Sequence, residues 1–480
     1  MYASPNAAVR LAAGLADIRR EFSLPGAFPA AVEAEARAVA SAEIAWEGRR
    51  DLRRDRFVTL DPATSTDLDQ AFDLDRDGDT FVLRYAIADV AAAVVAGGSI
   101  EREAWRRAST LYLPDEKIAQ YPQVLSEGAA SLLPSVDRPA VLLTVRLGTD
   151  LLPVLGSIER VVIQSKAKLA YETSSPVDAH PLLEAFAIRM DESDRARGAE
   201  RVQRPEQEID HDPDAPGQLR LQFRALTPSE RANSAMSLAA NLAIAGLFCS
   251  RGMGLFRDLD DPSGRDVAML RRTAHALGVP WRDDENLRDV LRRLRPDTAI
   301  DATFSIAVRR AGGGALYRWY EAPSAVARLR SKDKVGKPDG PWHSAIGAPY
   351  AHATAPLRRL ADRYVLELAL ALHESAIVDK SIVDQLQRLP KVMDDVASLA
   401  GSVERACIDL VESVVLSGRE GQEFTGVVAE DSGPTAVVHL VNDGVRIRLP
   451  LPNVVAGDTV RLRLRAADPA KRLLAFDVVK

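Results

Sequence analysis

At 480 residues the chain is too long for one compact core, and two or three folding units are expected. Apolar residues make up 46% and charged residues 27%, the range of soluble globular proteins, and no run in the sequence reads as a membrane span. A net charge of −6 argues against a non-specific DNA coat but leaves room for a local basic path that binds RNA.

Met1 is not followed by a signal-type segment, and Cys249 and Cys407 each sit in an apolar, helix-like stretch. Both are expected as buried free thiols of a reducing compartment, so the reading is cytoplasmic, with no membrane partner and a monomeric state.

The first 50 residues are Ala-rich, look helical over 30–50, and are expected as an N-terminal extension, residues 1–50. Strand patterning starts at Phe57–Asp61 and continues through Leu68–Asp75 and Thr80–Val90, with Arg76-Asp-Gly-Asp79 as the hairpin turn. Ser99 is the expected cap of the next helix. A strand pair at 140–147 and 154–164 brackets the turn Gly148-Thr-Asp150. Residues 174–218 are polar and rich in Pro and Asp, which predicts an irregular excursion. Thr227-Pro-Ser-Glu230 has capping-box spacing and opens a long helix to Ser250. Further helices are predicted at 263–277, 284–295 and 356–375. The last 60 residues alternate as five short strands between Gly and Asp turns, the pattern of a small OB-type barrel. The fold class is therefore α+β, a mixed α/β body over 51–417 followed by a five-stranded barrel over 418–480.

Chemistry concentrates in Asp61-Pro-Ala-Thr-Ser-Thr-Asp67-Leu-Asp69-Gln70-Ala71. Asp67 and Asp69 are two apart, so an extended segment directs both carboxylates to one face, and Asp61 can fold back beside them. Three crowded carboxylates stay ionised only with a compensating cation. Oxygen ligands without nearby His or Cys favour Mg²⁺, with Mn²⁺ as a substitute, and suit phosphodiester hydrolysis by an activated water. The downstream run Asp73-Leu-Asp75-Arg-Asp77-Gly78 imitates a calcium loop, but Arg84 stands where that loop needs a glutamate, so a hairpin turn is expected. Two basic tracts, Arg328–Lys337 and the strand-spaced Arg461, Arg463 and Arg465, are candidate phosphate-tracking surfaces.

The Asp61–Ala71 segment resembles the signature of the RNase II (RNB) family of 3′→5′ exoribonucleases. The resemblance continues in order through Ile87-Ala-Asp89-Val90, Thr110-Leu-Tyr112-Leu-Pro114, Asp137-Arg-Pro139, Ser165–Glu172 and Tyr350–Arg359. It implies an RNB-type catalytic domain closed by an S1-type RNA-binding barrel. It also implies that Asp61, Asp67 and Asp69 hold metal, with Asp69 the carboxylate on which cleavage most depends. By the same resemblance Tyr112 and Tyr171 line the RNA path, and Arg358 faces the scissile phosphate. The implied activity is hydrolytic, processive 3′→5′ degradation of single-stranded RNA to 5′-mononucleotides. Gln70 replaces the family's fourth carboxylate, and its amide oxygen can ligate Mg²⁺ only without charge, so a weaker metal affinity is expected. Ser234 and Ala235 stand near the places of a glutamate pair. The first 50 residues are too few and too helical for two cold-shock barrels, and Phe424 and His439 are the barrel's candidate stacking rings. His352 is expected to be structural. These departures motivate an alternative, a catalytically impaired RNA-binding protein of the same fold.

Overall fold

The structure is a computed structural model describing residues 6–43, 46–199, 206–211, 219–224, 226–295, 298–311, 313–321, 340–431, 433–440, 444–455 and 458–479. Helices α1 (Asn6–Glu21) and α2 (Ala30–Ser41) come first, then strands β1 (Arg50–Leu52), β2 (Thr59–Asp61), β3 (Gln70–Asp77) and β4 (Thr80–Ala88). Helix α3 (Ser99–Arg107) leads to the short strands β5 (Leu111–Tyr112) and β6 (Lys117–Ile118), the long hairpin β7 (Asp137–Leu147) and β8 (Pro153–Gln164), and β9 (Lys168–Ala170). After α4 (Pro176–Ala179), α5 (Leu183–Arg197), β10 (Glu206–His211) and β11 (Leu219–Arg224) comes the long helix α6 (Pro228–Arg251). Next are β12 (Met253–Asp258), α7 (Gly264–Leu277), α8 (Leu287–Leu291), α9 (Ala299–Ala311) and β13 (Leu316–Glu321). Helices α10 (Leu360–His373) and α11 (Lys380–Leu416) then lead into β14 (Glu423–Asp431), β15 (Thr435–Leu440), β16 (Arg446–Pro450), β17 (Thr459–Asp468) and β18 (Leu473–Val479).

The main sheet has the order β1-β8-β7-β4-β3, with β1 parallel to β8 and the other pairs antiparallel. Strand β4 alternates buried and half-buried up to Tyr85 and is then buried without interruption to Ala88, because its last residues are covered on both faces. Helix α6 lies against the sheet and carries nine alanines and serines among its buried and cleft-side positions, which permits close approach. The capping box expected at its start is present: Thr227 Oγ1 accepts from Glu230 N, and Glu230 accepts from Thr227 N. By length and composition α6 could cross a membrane, contrary to the sequence reading, but 67% of its apolar window is buried in this core.

Several local expectations need correction. Ser99 is the first helical residue, not the cap; Gly98 takes that position, and Glu35 accepts the Ser99 N–H at 2.6 Å. The polar stretch 174–218 contains α4, α5 and β10, with residues 200–205 and 212–218 outside the described set. Helices α9 and α11 were not anticipated. The helix expected from 356 starts at Leu360, because Arg359 is extended. The calcium-like run is a hairpin turn, with Gly78 at φ 59°. Both cysteines are free, although Cys249 is only half-buried.

The C-terminal strands form an antiparallel five-stranded barrel of OB type, ordered β16-β15-β14-β17-β18. Bulges at Val428/Glu430 and Leu464/Ala466 bend β14 and β17, as closure of a small barrel requires. Phe424 and His439 are buried within it, so neither is presented as a stacking platform. Arg461 and Arg463 both pair with Glu423, and Arg465 lies 4.0 Å from Asp477, so the expected basic stripe is largely answered by acids. The tract Arg328–Lys337 lies outside the described residues.

Helix α11 joins the parts. Its Val411 and Leu416 enter the barrel core, while Val403, Cys407 and Leu410 pack against Leu15 and Ile18 of α1. Gly14 leaves room for this contact, since a Cβ there would collide with Leu410. Leu410 is fully buried, and Leu410→Ala is expected to cost about 2–5 kcal/mol. A fall in the denaturant midpoint, absent for the exposed control Val9→Ala, is the measurement that checks it.

Candidate functional site

Three distant segments converge on one cleft. The first is the loop between β2 and β3. Parallel pairing of β2 with β9 sets Asp61 opposite Ala170, and Tyr171 N donates to the Asp61 carbonyl at 3.1 Å. Lys168 Nζ donates to the carbonyls of Ala63 and Ser65, while Glu172 accepts the Ala63 N–H at 3.1 Å. Ser131 Oγ accepts from Leu68 N and donates to Thr66 O. The loop is thus pinned at both ends before it delivers Asp67 and Asp69.

The second segment is residues 353–359. Asn241 of α6 accepts the Ala353 N–H at 2.9 Å, and Asp362 accepts the Ala355 N–H at 2.8 Å while pairing with Arg359 at 2.7 Å. So held, the segment gives the Leu357 N–H to Asp69 Oδ1 at 2.8 Å and places Arg358 Nε 3.5 Å from Asp69 Oδ2. The third segment, β5 and β6, docks on it through Thr110 N and Ser109 Oγ, which both donate to the Arg358 carbonyl.

The resulting cleft has a volume of about 790 Å³. Asp61, Asp67, Asp69, Gln70, Tyr112, Tyr171 and Arg358, every site residue singled out from the sequence, line it. Their surroundings differ. Asp69 is 4% exposed, and burial pushes its carboxyl up to about 7 against the opposing pull of Arg358 and the Leu357 N–H. Burial likewise raises Asp61 to about 7, with Arg358 and Lys168 opposing and Asp67 adding. Asp67 Oδ1 instead faces Lys117 Nζ at 3.0 Å and accepts from Ser65 Oγ at 3.1 Å. Gln70 is engaged as an amide: its Oε1 accepts from Tyr85 OH at 2.9 Å and its Nε2 donates to Thr354 O. Among the described residues no three His, Cys, Asp or Glu side chains stand close enough together to hold an ion by themselves.

The aromatic side chains sit differently. Tyr112 is 59% exposed, which rules out a core role. Tyr171 is half-buried, and its hydroxyl accepts from Asn233 Nδ2 at 2.6 Å. His352 bonds Tyr317 OH through Nδ1 at 2.7 Å, is driven well below its ordinary pKa by burial and then Arg359, and does not line the cleft. It acts as a neutral structural group.

Sequence reasoning singled out Ser234 and Ala235 on α6 but missed the rest of that wall, and Ala235 is buried in the core instead. Glu230, Asn233, Ser234 and Ser237 of α6 all line the cleft. Their spacing of three, four and seven marks a polar stripe on an otherwise apolar helix, a signal that periodicity could have supplied. Lys117 and Glu127 were also missed, and nothing local announces them.

The geometry agrees with the comparisons. The RNB domain family matches residues 49–374. Ribonuclease R of Chlamydia muridarum is 29% identical over 398 residues, covering 80% of this chain and 55% of its own. Ribonuclease R of Aquifex aeolicus is 26% identical over 520 residues, covering 96% of this chain and 70% of its own. The chain spans about half the length of the first of these relatives. Among solved structures, Mycoplasma genitalium RNase R in complex with ribose methylated single-stranded RNA superposes with a TM-score of 0.83 at 20% identity, over 98% of this chain and 78% of that one. Yeast Ssd1, a pseudonuclease, superposes with a TM-score of 0.63 at 17% identity, over 89% of this chain and 53% of that one. At such identities the superpositions show the fold, while the family match spans well over half of the sequence. The chain belongs to the RNB domain family.

Proposed function

We propose that the chain is a hydrolytic exoribonuclease that degrades single-stranded RNA from its 3′ end to 5′-mononucleotides, processively, with Mg²⁺ or Mn²⁺ as cofactor. The observation that carries this reading is the shared cleft, in which three aspartates meet Arg358 and two tyrosines in an RNB-family fold.

The donor set fits a hard divalent cation. Asp61 and Asp69 offer carboxylate oxygens whose ionisation burial resists, and a cation beside them removes that penalty. When bound, such an ion supplies Lewis-acid activation of the attacking water and charge for the phosphate. The chain's own groups do the remainder. Asp69, fixed by the Leu357 N–H, keeps one oxygen near Arg358. The Arg358 side chain is 47% exposed, so its fork is open to a phosphate and to charge developing there. Tyr112 and Tyr171 present ring faces that stack any base, each worth about 1–3 kcal/mol, which holds RNA without reading its sequence.

Yeast Ssd1 shows that this fold also occurs as a pseudonuclease, and the amide engagement of Gln70 favours a second reading, a binding protein that does not cleave. If the wild-type chain binds RNA but leaves it intact, and Gln70→Asp begins to cut, the second reading holds; cleavage by the wild-type chain removes it.

End-labelled RNA with a free 3′-hydroxyl, resolved on a denaturing gel, is expected to shorten to mononucleotide in Mg²⁺ without accumulating long intermediates. Chelation should stop the reaction, and Asp69→Asn should slow it by about 100-fold or more while RNA binding persists. Intact RNA with the wild-type protein in Mg²⁺ and in Mn²⁺ defeats the proposal.

The raised carboxyls also set a pH signature. Asp61 and Asp69 titrate near 3.8 when unfolded and near 7 in the metal-free fold, so between those values the folded chain holds protons that the unfolded chain has lost. Metal-free stability therefore falls as pH rises through that window, and a bound cation recovers it only where the carboxyls ionise. Mg²⁺ should raise Tm at about pH 8 and hardly at about pH 5. An equal rise at both would contradict the assignment.

A further inference from the structure

We infer that Lys117 is a positioning residue that serves as a built-in cation of the site, neutralising Asp67 so that the cleft needs one divalent ion, held by Asp61 and Asp69. The inference rests on the nuclease reading for its consequence in catalysis, but not for the contacts that motivate it.

Placement comes first. Lys117 pairs directly with Tyr112 across the two-residue ladder of β5 and β6. Directly paired residues leave a sheet on one face, so the hairpin that brings Tyr112 to the cleft turns Lys117 toward Asp67 on its wall. Its ammonium stands 3.0 Å from Asp67 Oδ1 and 2.7 Å from Glu127 Oε1.

Both acceptors are themselves fixed. Glu127 Oε2 accepts from Thr66 Oγ1 at 2.8 Å and from Gln123 Nε2 at 2.9 Å, and Ser65 Oγ donates to Asp67. The side chains of Lys117, Asp67 and Glu127 are 26%, 12% and 16% exposed. This is a constrained, mostly covered contact rather than a solvated surface pair, whose screening would make it weak.

Charge balance gives the consequence. The one positive charge of Lys117 is shared by Asp67 and Glu127, so it relieves Asp67 without a metal, and a divalent ion matches the two negative charges of Asp61 and Asp69. Arg358, near Asp69, is then available to the substrate phosphate. A second ion beside Asp67 would have to displace an ammonium already seated between two carboxylates.

The test counts Mn²⁺ bound to the full chain without RNA, from the electron paramagnetic resonance signal of free Mn²⁺. The wild-type protein and Lys117→Arg should each bind about one tight ion. Lys117→Met leaves Asp67 and Glu127 unanswered and should bind about two, and the dependence of RNA cleavage on free metal should change from first to second order. Two tight ions in the wild type overturn the inference, as does a folded Lys117→Met that still binds one. If Lys117→Met does not fold, the wild-type count and its metal order decide. Failure of the wild-type protein to cleave RNA while it binds one ion would defeat the nuclease reading and leave the role of Lys117 standing.

Discussion

Placing three aspartates along one cleft that water only partly reaches is the constraint around which this molecule is arranged. Burial, only partly opposed by Arg358, holds the Asp61 and Asp69 carboxyls up at about 7, well above an ordinary aspartate. The fold distributes the relief unevenly. Asp69 receives a backbone N–H and a nearby guanidinium, Asp67 receives a lysine, and Asp61 has Lys168 and Arg358 acting on it through space. What the chain leaves uncompensated is the penalty of ionising two buried carboxylates, the penalty that a cation beside them would relieve.

Rigidity around these groups comes from hydrogen bonds to the main chain. The 353–359 segment has no regular structure of its own, yet Asn241, Asp362 and the strand β5 region each hold part of it. Asp362 is fully buried and joins Arg359 to the Ala355 N–H, so the segment that carries Arg358 is fastened to the first turn of α10. Helix α6 serves two environments at once. Its small apolar residues pack on the sheet, and its polar stripe forms a wall of the cleft and anchors Tyr171 and the 353–359 segment.

The barrel is tied in by α11, whose far end contributes to the barrel core and whose middle seats α1. Three hydrophobic clusters therefore meet along one helix. Pro390 inside it removes one backbone donor without ending it, a local cost that the buried face on either side offsets.

Much of this was readable from residues alone, where the governing rule is local. Alternation placed the main strands and the five barrel strands, capping spacing placed the start of α6, and the two-residue step between Asp67 and Asp69 put both in one cleft. Tertiary structure decided what depends on contacts between residues far apart in the chain. The Asp69 bond to Leu357 spans 288 positions and that of Gln70 to Thr354 spans 284, so no spacing rule reaches them. The Lys117 contact with Asp67, the burial of Phe424 and His439, and the answering of Arg461 and Arg463 by Glu423 are decisions of the same kind. Periodicity tells which face a side chain leaves by, but its partner is set by which element the topology packs against that face.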